Sequence, residues 1–181
     1  MPVSRTLFRG AWLGITEQDG WEYATRTNAQ AVAVLVPVTA DGCLVLVEQY
    51  RIPVGARTIE LPAGLVGDGK NAGETLAGAA ARELEEETGF VARRMELLLE
   101  LPSSAGLTDE RVTIFLAEGL RRVGPGGGDG SEDIEVHVVP LAGIDDWLAT
   151  RLAQGVMLDP KVFAALYWLQ RPEQRRFSAP A

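Results

Sequence analysis

The sequence predicts an α/β sandwich preceded by a small N-terminal β region. Three observations carry that prediction. Residues 31–38 (Ala-Val-Ala-Val-Leu-Val-Pro-Val) are a near-continuous apolar run, the pattern of a central strand. Residues 76–88 combine an alanine-rich stretch with Leu76, Ala79, Ala80 and Leu84 at helical spacing, so one face packs and the other carries acids. Short strand-like runs flank this helix on both sides, and two further helical stretches close the chain.

Residues 3–28 alternate weakly and carry Trp12, Trp21 and Tyr23, with Asp19-Gly20 as a turn between two short strands, so the segment reads as a hairpin. After the 31–38 strand, Asp41-Gly42 is a hairpin turn and residues 44–49 are the returning strand. Residues 57–61 read as another short strand, and 64–74, rich in Gly and Asp, as loop. Thr75 is the N-cap candidate of the helix, because its hydroxyl can accept from an otherwise unpaired N–H. Gly89 suits the left-handed position just past the helix end. Residues 95–101 and 112–117 read as strands, and 124–130 (Gly-Pro-Gly-Gly-Gly-Asp-Gly) as a flexible loop. Ile134, Val136 and Val138 alternate with Glu135 and His137 to give a last strand. Helices are expected over 143–153 and 160–170, with a frayed tail from Arg171. The expected division is 1–30 for the N-terminal β region and 31–181 for the main domain.

With 181 residues and 46% apolar content, the chain can bury one real core. Lys and Arg number 17 against 25 Asp and Glu, a net charge of −8, which argues against nucleic acid or an anionic membrane as partner. A small anionic molecule remains compatible, provided that cations and a few arginines neutralise it locally. Cys43, the one cysteine, lies in an apolar run and reads as a buried small hydrophobe, so no disulfide can form within one chain. The N-terminus has no apolar leader, and no segment reaches the ~20 apolar residues of a membrane span, so a cytoplasmic location is expected. His137, the one histidine, alternates within an apolar strand and reads as structural, which leaves no basis for a multi-histidine zinc site.

Arg82-Glu83-Leu84-Glu85-Glu86-Glu87-Thr88-Gly89 puts four carboxylates and one arginine into one stretch. Residues three and four apart share a helix face, so Glu83, Glu86 and Glu87 point one way, with Arg82 at the edge. Like charges so placed cost roughly a few tenths of a kcal/mol per pair. A divalent cation would offset that cost, since hard cations such as Mg²⁺ take carboxylate oxygens together with substrate phosphates. Without wider spacing evidence, a solvated acidic face is the simpler reading. No Gly-x-Gly-x-x-Gly or Walker-type loop precedes the helix, so a dinucleotide-binding or P-loop fold is unsupported.

The wider spacing is present. Glu74, followed by Arg82-Glu83-Leu84-x-Glu86-Glu87-x-Gly89-Phe90, resembles the Nudix box and matches its pattern at every specified position from Glu74 onward. The upstream glycine of that pattern falls on Asp68, and Gly64 in Leu61-Pro62-Ala63-Gly64 is taken as its equivalent. Glu48-Gln49-Tyr50-Arg51 and Glu60-Leu61-Pro62-Ala63-Gly64 resemble the ADP-ribose pyrophosphatase and nucleoside-diphosphate-sugar branch. Ser104-Ala105-Gly106 departs from the Ser-Pro-Gly common in ADP-ribose hydrolases.

The resemblance implies a Nudix α/β/α sandwich with a mixed sheet. It implies Mg²⁺-dependent hydrolysis of the diphosphate of ADP-ribose or a related nucleoside-diphosphate sugar. It implies two or three Mg²⁺ ions, with Mn²⁺ as the alternative, on Glu83, Glu86, Glu87 and the backbone carbonyl of Ala63. Arg82 and Glu74 would fix the rotamers of these acids. In this branch the base commonly comes from a late loop; Glu132 fits, and Glu110 is its rival and a substrate-binding candidate. Arg51 suits a phosphate clamp, a surface ion pair being the plainer alternative. Glu60 serves metal or ribose, or merely ends a strand. Trp12 and Trp21 are candidates for stacking on a nucleobase across a homodimer formed through the N-terminal β region. The open alternatives are a Nudix hydrolase of a nucleoside triphosphate or dinucleotide, and a non-catalytic nucleotide-binding module of the same fold.

Overall fold

The β-branched and alternating runs become strands, and the alanine-rich stretch becomes the central helix. A computed structural model describes residues 4–68, 71–128, 130 and 133–174. In chain order, β1 (Ser4–Arg9), β2 (Leu13–Gln18) and β3 (Trp21–Arg26) form an antiparallel sheet of their own. β4 (Ala31–Pro37), β5 (Cys43–Arg51), β6 (Ala56–Glu60), β7 (Ala63–Val66) and α1 (Leu76–Thr88) follow. Next come β8 (Phe90–Val91), β9 (Arg94–Pro102), β10 (Arg111–Glu118), β11 (Arg121–Arg122) and β12 (Glu135–Pro140). α2 (Ile144–Ala153), β13 (Met157–Leu158) and α3 (Pro160–Leu169) complete the domain.

Two four-stranded sheets carry the domain, in the orders β7-β4-β10-β9 and β12-β5-β6-β13. β10 runs parallel to β4 and β13 parallel to β6, while the neighbouring pairs are antiparallel, so both sheets are mixed. β4 is buried on both faces. Val32, Val34 and Val36 pack with Leu44, Leu46, Ile59 and Ile114 and with side chains of α2 and α3. Ala33 and Leu35 meet Ala79, Ala80 and Leu84 of α1. This two-sided burial is why its sequence is continuously apolar rather than alternating. Helix α1 has the expected bounds: the Thr75 hydroxyl accepts from the Gly78 N–H, and Gly89 takes φ 73°. No helix among the described residues is long and apolar enough to cross a membrane.

The structure corrects the sequence reading at four places. The segment read as a two-stranded hairpin over 3–28 holds three strands between Ser4 and Arg26, with Asp19-Gly20 (φ 53° and 85°) turning β2 into β3. β4 and β5 are not a hairpin. The turn at Asp41-Gly42 is present, but after one bridge between Val38 and Leu44 the strands part into different sheets, because both edges of β4 are taken by β7 and β10. Part of the expected 64–74 loop is strand β7, which pairs with β4 despite Gly64. The glycine-rich stretch is not free at its start. The N–H groups of Gly127 and Gly128 donate to the carbonyls of Glu87 and Glu86 at 2.9 and 3.0 Å, groups that a helix end leaves unpaired. Gly126, at φ 75°, lies so close that an added Cβ would stand 2.5 Å from the carbonyl carbon of Thr88.

β5 also carries Glu48, whose side chain is only 2% exposed. Arg57 donates to it at 2.6 Å, Arg151 of α2 donates to it as well, and the His137 ring nitrogen lies 3.1 Å away. His137 also packs on Trp147, ring centroids 5.1 Å apart, so its position is structural. Burial pushes the Glu48 carboxyl up, but the hydrogen bonds from Arg57, Arg151 and His137 together hold it below its ordinary value. The unfolded chain therefore takes up this proton at higher pH than the folded chain, so acidification destabilises the fold. Urea denaturation should show wild-type stability falling more steeply than that of Glu48→Gln as pH drops below about 4.5. At neutral pH, Glu48→Gln should be less stable by roughly 1–3 kcal/mol, because it removes the countercharge of two part-buried guanidiniums. Parallel pH profiles would contradict the assignment.

Candidate active site

Arg82 sits at the centre of an acidic group built from α1 and the segment before it. Its Nε and Nη2 donate to the two oxygens of Glu74, both at 3.1 Å. Its Nη1 donates to Glu83 at 2.7 Å and to Glu86 at 2.9 Å, and Nη2 also reaches the Leu65 carbonyl of β7 at 3.3 Å. The hydrogen bonds to Glu74, then those to Glu83 and Glu86, outweigh burial and raise the guanidinium pKa further above its ordinary value. Arg82 stays charged, and the planar fork fixes three carboxylates at once.

The strand beneath makes room for these acids. A Cβ built on Gly64 would stand 1.8 Å from the Glu83 carboxyl carbon, so only glycine lets Glu83 lie across β7 in this way. The Ala63 N–H donates to the Glu87 carboxylate at 3.0 Å, and Glu87 is 4% exposed. Glu87 therefore ties α1 to the start of β7, while Glu83 and Glu86 face the opening. That set of hard oxygen donors, with Glu83 laid across the strand at Gly64, suits a divalent cation such as Mg²⁺. Glu48, Glu135 and His137 also bring ligand atoms within 4.8 Å of one another, but none of the three lines the cleft onto which Glu83 and Glu86 open.

The acids open onto a cleft of about 670 Å³. Of the residues singled out in the sequence, Arg51, Glu60, Ala63, Arg82, Glu83, Glu86 and Glu110 all line it. Arg51 is held by both oxygens of Glu60, through Nε at 2.6 Å and Nη2 at 2.7 Å, so it is in an ion pair and on the cleft wall together. Glu110 pairs with Arg26 on another part of the wall. Trp12 and Trp21 are not in this cleft; each is 67% exposed on the N-terminal sheet. Glu132 lies outside the described residues. Its neighbour Asp133 pairs with Arg57 at 3.0 Å.

The sequence reading missed Arg26, Lys161 and Ser103, which also line the cleft. Arg26 arrives because β3 docks on the 107–109 segment, with the Ala24 N–H donating to the Leu107 carbonyl at 2.8 Å and the Thr25 hydroxyl to Asp109 at 2.9 Å. That docking is long-range and leaves no local sequence signal. Lys161 had one: it follows Asp159-Pro160 at a helix start, where anions are favoured.

A family model described as the NUDIX domain matches residues 27–159. The methanol dehydrogenase activator of Bacillus methanolicus is 35% identical over 143 residues, covering 79% of this chain and 73% of that protein. The ADP-ribose pyrophosphatase of Mycobacterium tuberculosis is 41% identical over 127 residues, 67% of this chain and 60% of its own length. The ADP-sugar pyrophosphatase of Mus musculus is 34% identical over 179 residues, 88% of this chain and 78% of that one. A crystal structure of an ADP compounds hydrolase superposes with a TM-score of 0.70 over 96% of both chains at 21% identity, a likeness of fold.

Gly64→Ala should push the Glu83 carboxylate off its position while leaving the core untouched. Calorimetric titration with Mn²⁺ should show affinity falling about tenfold or more, with thermal stability little changed. Unaltered Mn²⁺ affinity would show that Glu83 does not hold the cation from this position.

Proposed function

The chain belongs to the Nudix family of pyrophosphohydrolases, and from that premise we propose that it hydrolyses the diphosphate of ADP-ribose or a related nucleoside-diphosphate sugar with Mg²⁺. The products are a nucleoside monophosphate and a sugar phosphate. One observation carries the reading: a single cleft lined both by the Arg82-held carboxylates and by the Arg51–Glu60 and Arg26–Glu110 pairs. Carboxylates for cations and guanidiniums for anionic oxygens are what a charged diphosphate needs. The names of the mycobacterial and mouse relatives support the substrate class.

Glu83, Glu86, Glu87 and the Ala63 carbonyl would hold two or three Mg²⁺ ions, or Mn²⁺, which would supply charge neutralisation, polarisation of phosphorus and an activated water. The protein's own groups do the rest. Arg82, braced by both oxygens of Glu74, keeps Glu83 and Glu86 from swinging apart. Glu60 orients the Arg51 fork, which then takes phosphate oxygens of substrate and leaving group. Arg26 and Glu110 orient the substrate from their part of the wall. Glu132 accepts the proton of the attacking water. In the chain it comes after Gly127 and Gly128, whose N–H groups donate to the carbonyls of Glu87 and Glu86.

The N-terminal sheet leaves Leu7, Phe8, Trp12, Leu13 and Trp21 exposed. Such a patch is typical of an interface, which supports a homodimer in which Trp12 and Trp21 reach the nucleobase in the partner's cleft.

With ADP-ribose and Mg²⁺, and products identified by mass, Glu86→Gln and Glu87→Gln should each lower turnover by about a hundredfold or more, with circular dichroism unchanged. Full activity in both would end the proposal. Glu132→Gln should lower turnover about 10²-fold or more through loss of the base. If it keeps near-normal turnover and Glu110→Gln does not, the base is Glu110.

A further inference from the structure

A second pocket, of about 410 Å³, shares Arg51, Glu60 and Lys161 with the active-site cleft and therefore adjoins it. Val54, Met157 and Leu158 give it apolar walls. Thr58 also lines it; this residue is 7% exposed, and its hydroxyl is buried without a hydrogen-bond partner. Asp159 accepts from the Lys161 N–H at 2.7 Å and from its Nζ at 2.6 Å, which folds the lysine back onto Asp159 at the pocket wall. Mostly apolar walls with a few placed polar groups, at a volume of a few hundred Å³, are the make-up of a small-molecule site.

The charges say what kind of molecule fits. Arg51 and Lys161 are cations at the junction with the cleft and suit a phosphate. Glu60 and Asp159 are acceptor-only groups that suit the hydroxyls of a sugar, as acidic residues do on ribose. A sugar ring also has an apolar C–H face for Val54, Met157 and Leu158. Among the described residues no aromatic side chain lines the pocket, so these walls offer no stacking surface of the kind a nucleobase favours. Resting on the nucleoside-diphosphate-sugar reading above, we propose that this side pocket receives the sugar on the second phosphate, with Glu60 and Asp159 taking its hydroxyls and Lys161 its phosphate. The pocket then determines which sugars are accepted.

The two hydrolysis products allow a test without turnover. The chain has three methionines, so methyl-¹³C-methionine labelling gives a simple spectrum, and Met157→Leu assigns the Met157 signal. Ribose 5-phosphate should shift that signal saturably, whereas AMP, which carries the same phosphate monoester, should leave it in place. A response to AMP, or none to ribose 5-phosphate, overturns the proposal. In a second test, Val54→Trp fills the pocket from an exposed position. It should raise KM for ADP-ribose about tenfold more than for the methyl ester of ADP, which has no sugar to place. Equal effects on the two substrates also overturn it. If wild-type protein hydrolyses neither substrate, the catalytic reading fails, and the methyl shift still decides the pocket.

Discussion

The guanidinium of Arg82 is the constraint on which the site depends. Three carboxylates converge on it, from Glu74, Glu83 and Glu86, and without it they would repel one another on and beside one helix. Near a protein surface, two unit charges about 4 Å apart interact with roughly 4 kcal/mol. The acids therefore stay together only while a cation holds them. Arg82 does so with directed donors rather than a point charge, so it fixes orientation as well as charge. The result is an acidic surface that is set before any cation arrives, the condition under which little reorganisation is needed at the moment of reaction.

The fold serves to hold that arrangement at three points. Thr75 caps the start of α1, and Gly127 and Gly128 close its end. Beneath it, β4 supplies Ala33 and Leu35 as the apolar bed, and β7 supplies Gly64 as the one position where Glu83 can lie flat. Glu87 is the clasp between helix and strand, through the Ala63 N–H. The cations of the cleft wall come from distant parts of the chain: Arg26 from the N-terminal sheet, Arg51 from β5 and Lys161 from α3. Each is paired with an acid of its own, Glu110, Glu60 and Asp159, so a net acidic chain still presents oriented cations to an anionic substrate.

What could be read in the sequence was what is decided locally. The bounds of α1 follow from a cap, an apolar stripe and a terminal glycine, all within its own residues. The continuous apolar run of β4 announced two-sided burial. The false hairpin between β4 and β5 came from a local signal, the Asp41-Gly42 turn, that a non-local fact overrode: β7 and β10 already occupy both edges of β4. β7 was hidden because Gly64 weakens a strand pattern, yet that glycine is there for Glu83. The acids of α1 were legible from spacing, whereas Arg26 and the buried Glu48 network were not, since they depend on which strands and helices meet.

The central claim is that Arg82 organises the acids and does more than balance their charge. Arg82→Lys keeps the positive charge and removes the fork. The most direct measurement is the Mg²⁺ dependence of ADP-ribose turnover in this variant, beside its thermal stability. A fold that remains intact with activity reduced about 10–100-fold, and a higher Mg²⁺ requirement, is the predicted result. Wild-type turnover at wild-type Mg²⁺ concentration would show that charge alone suffices and would contradict the account.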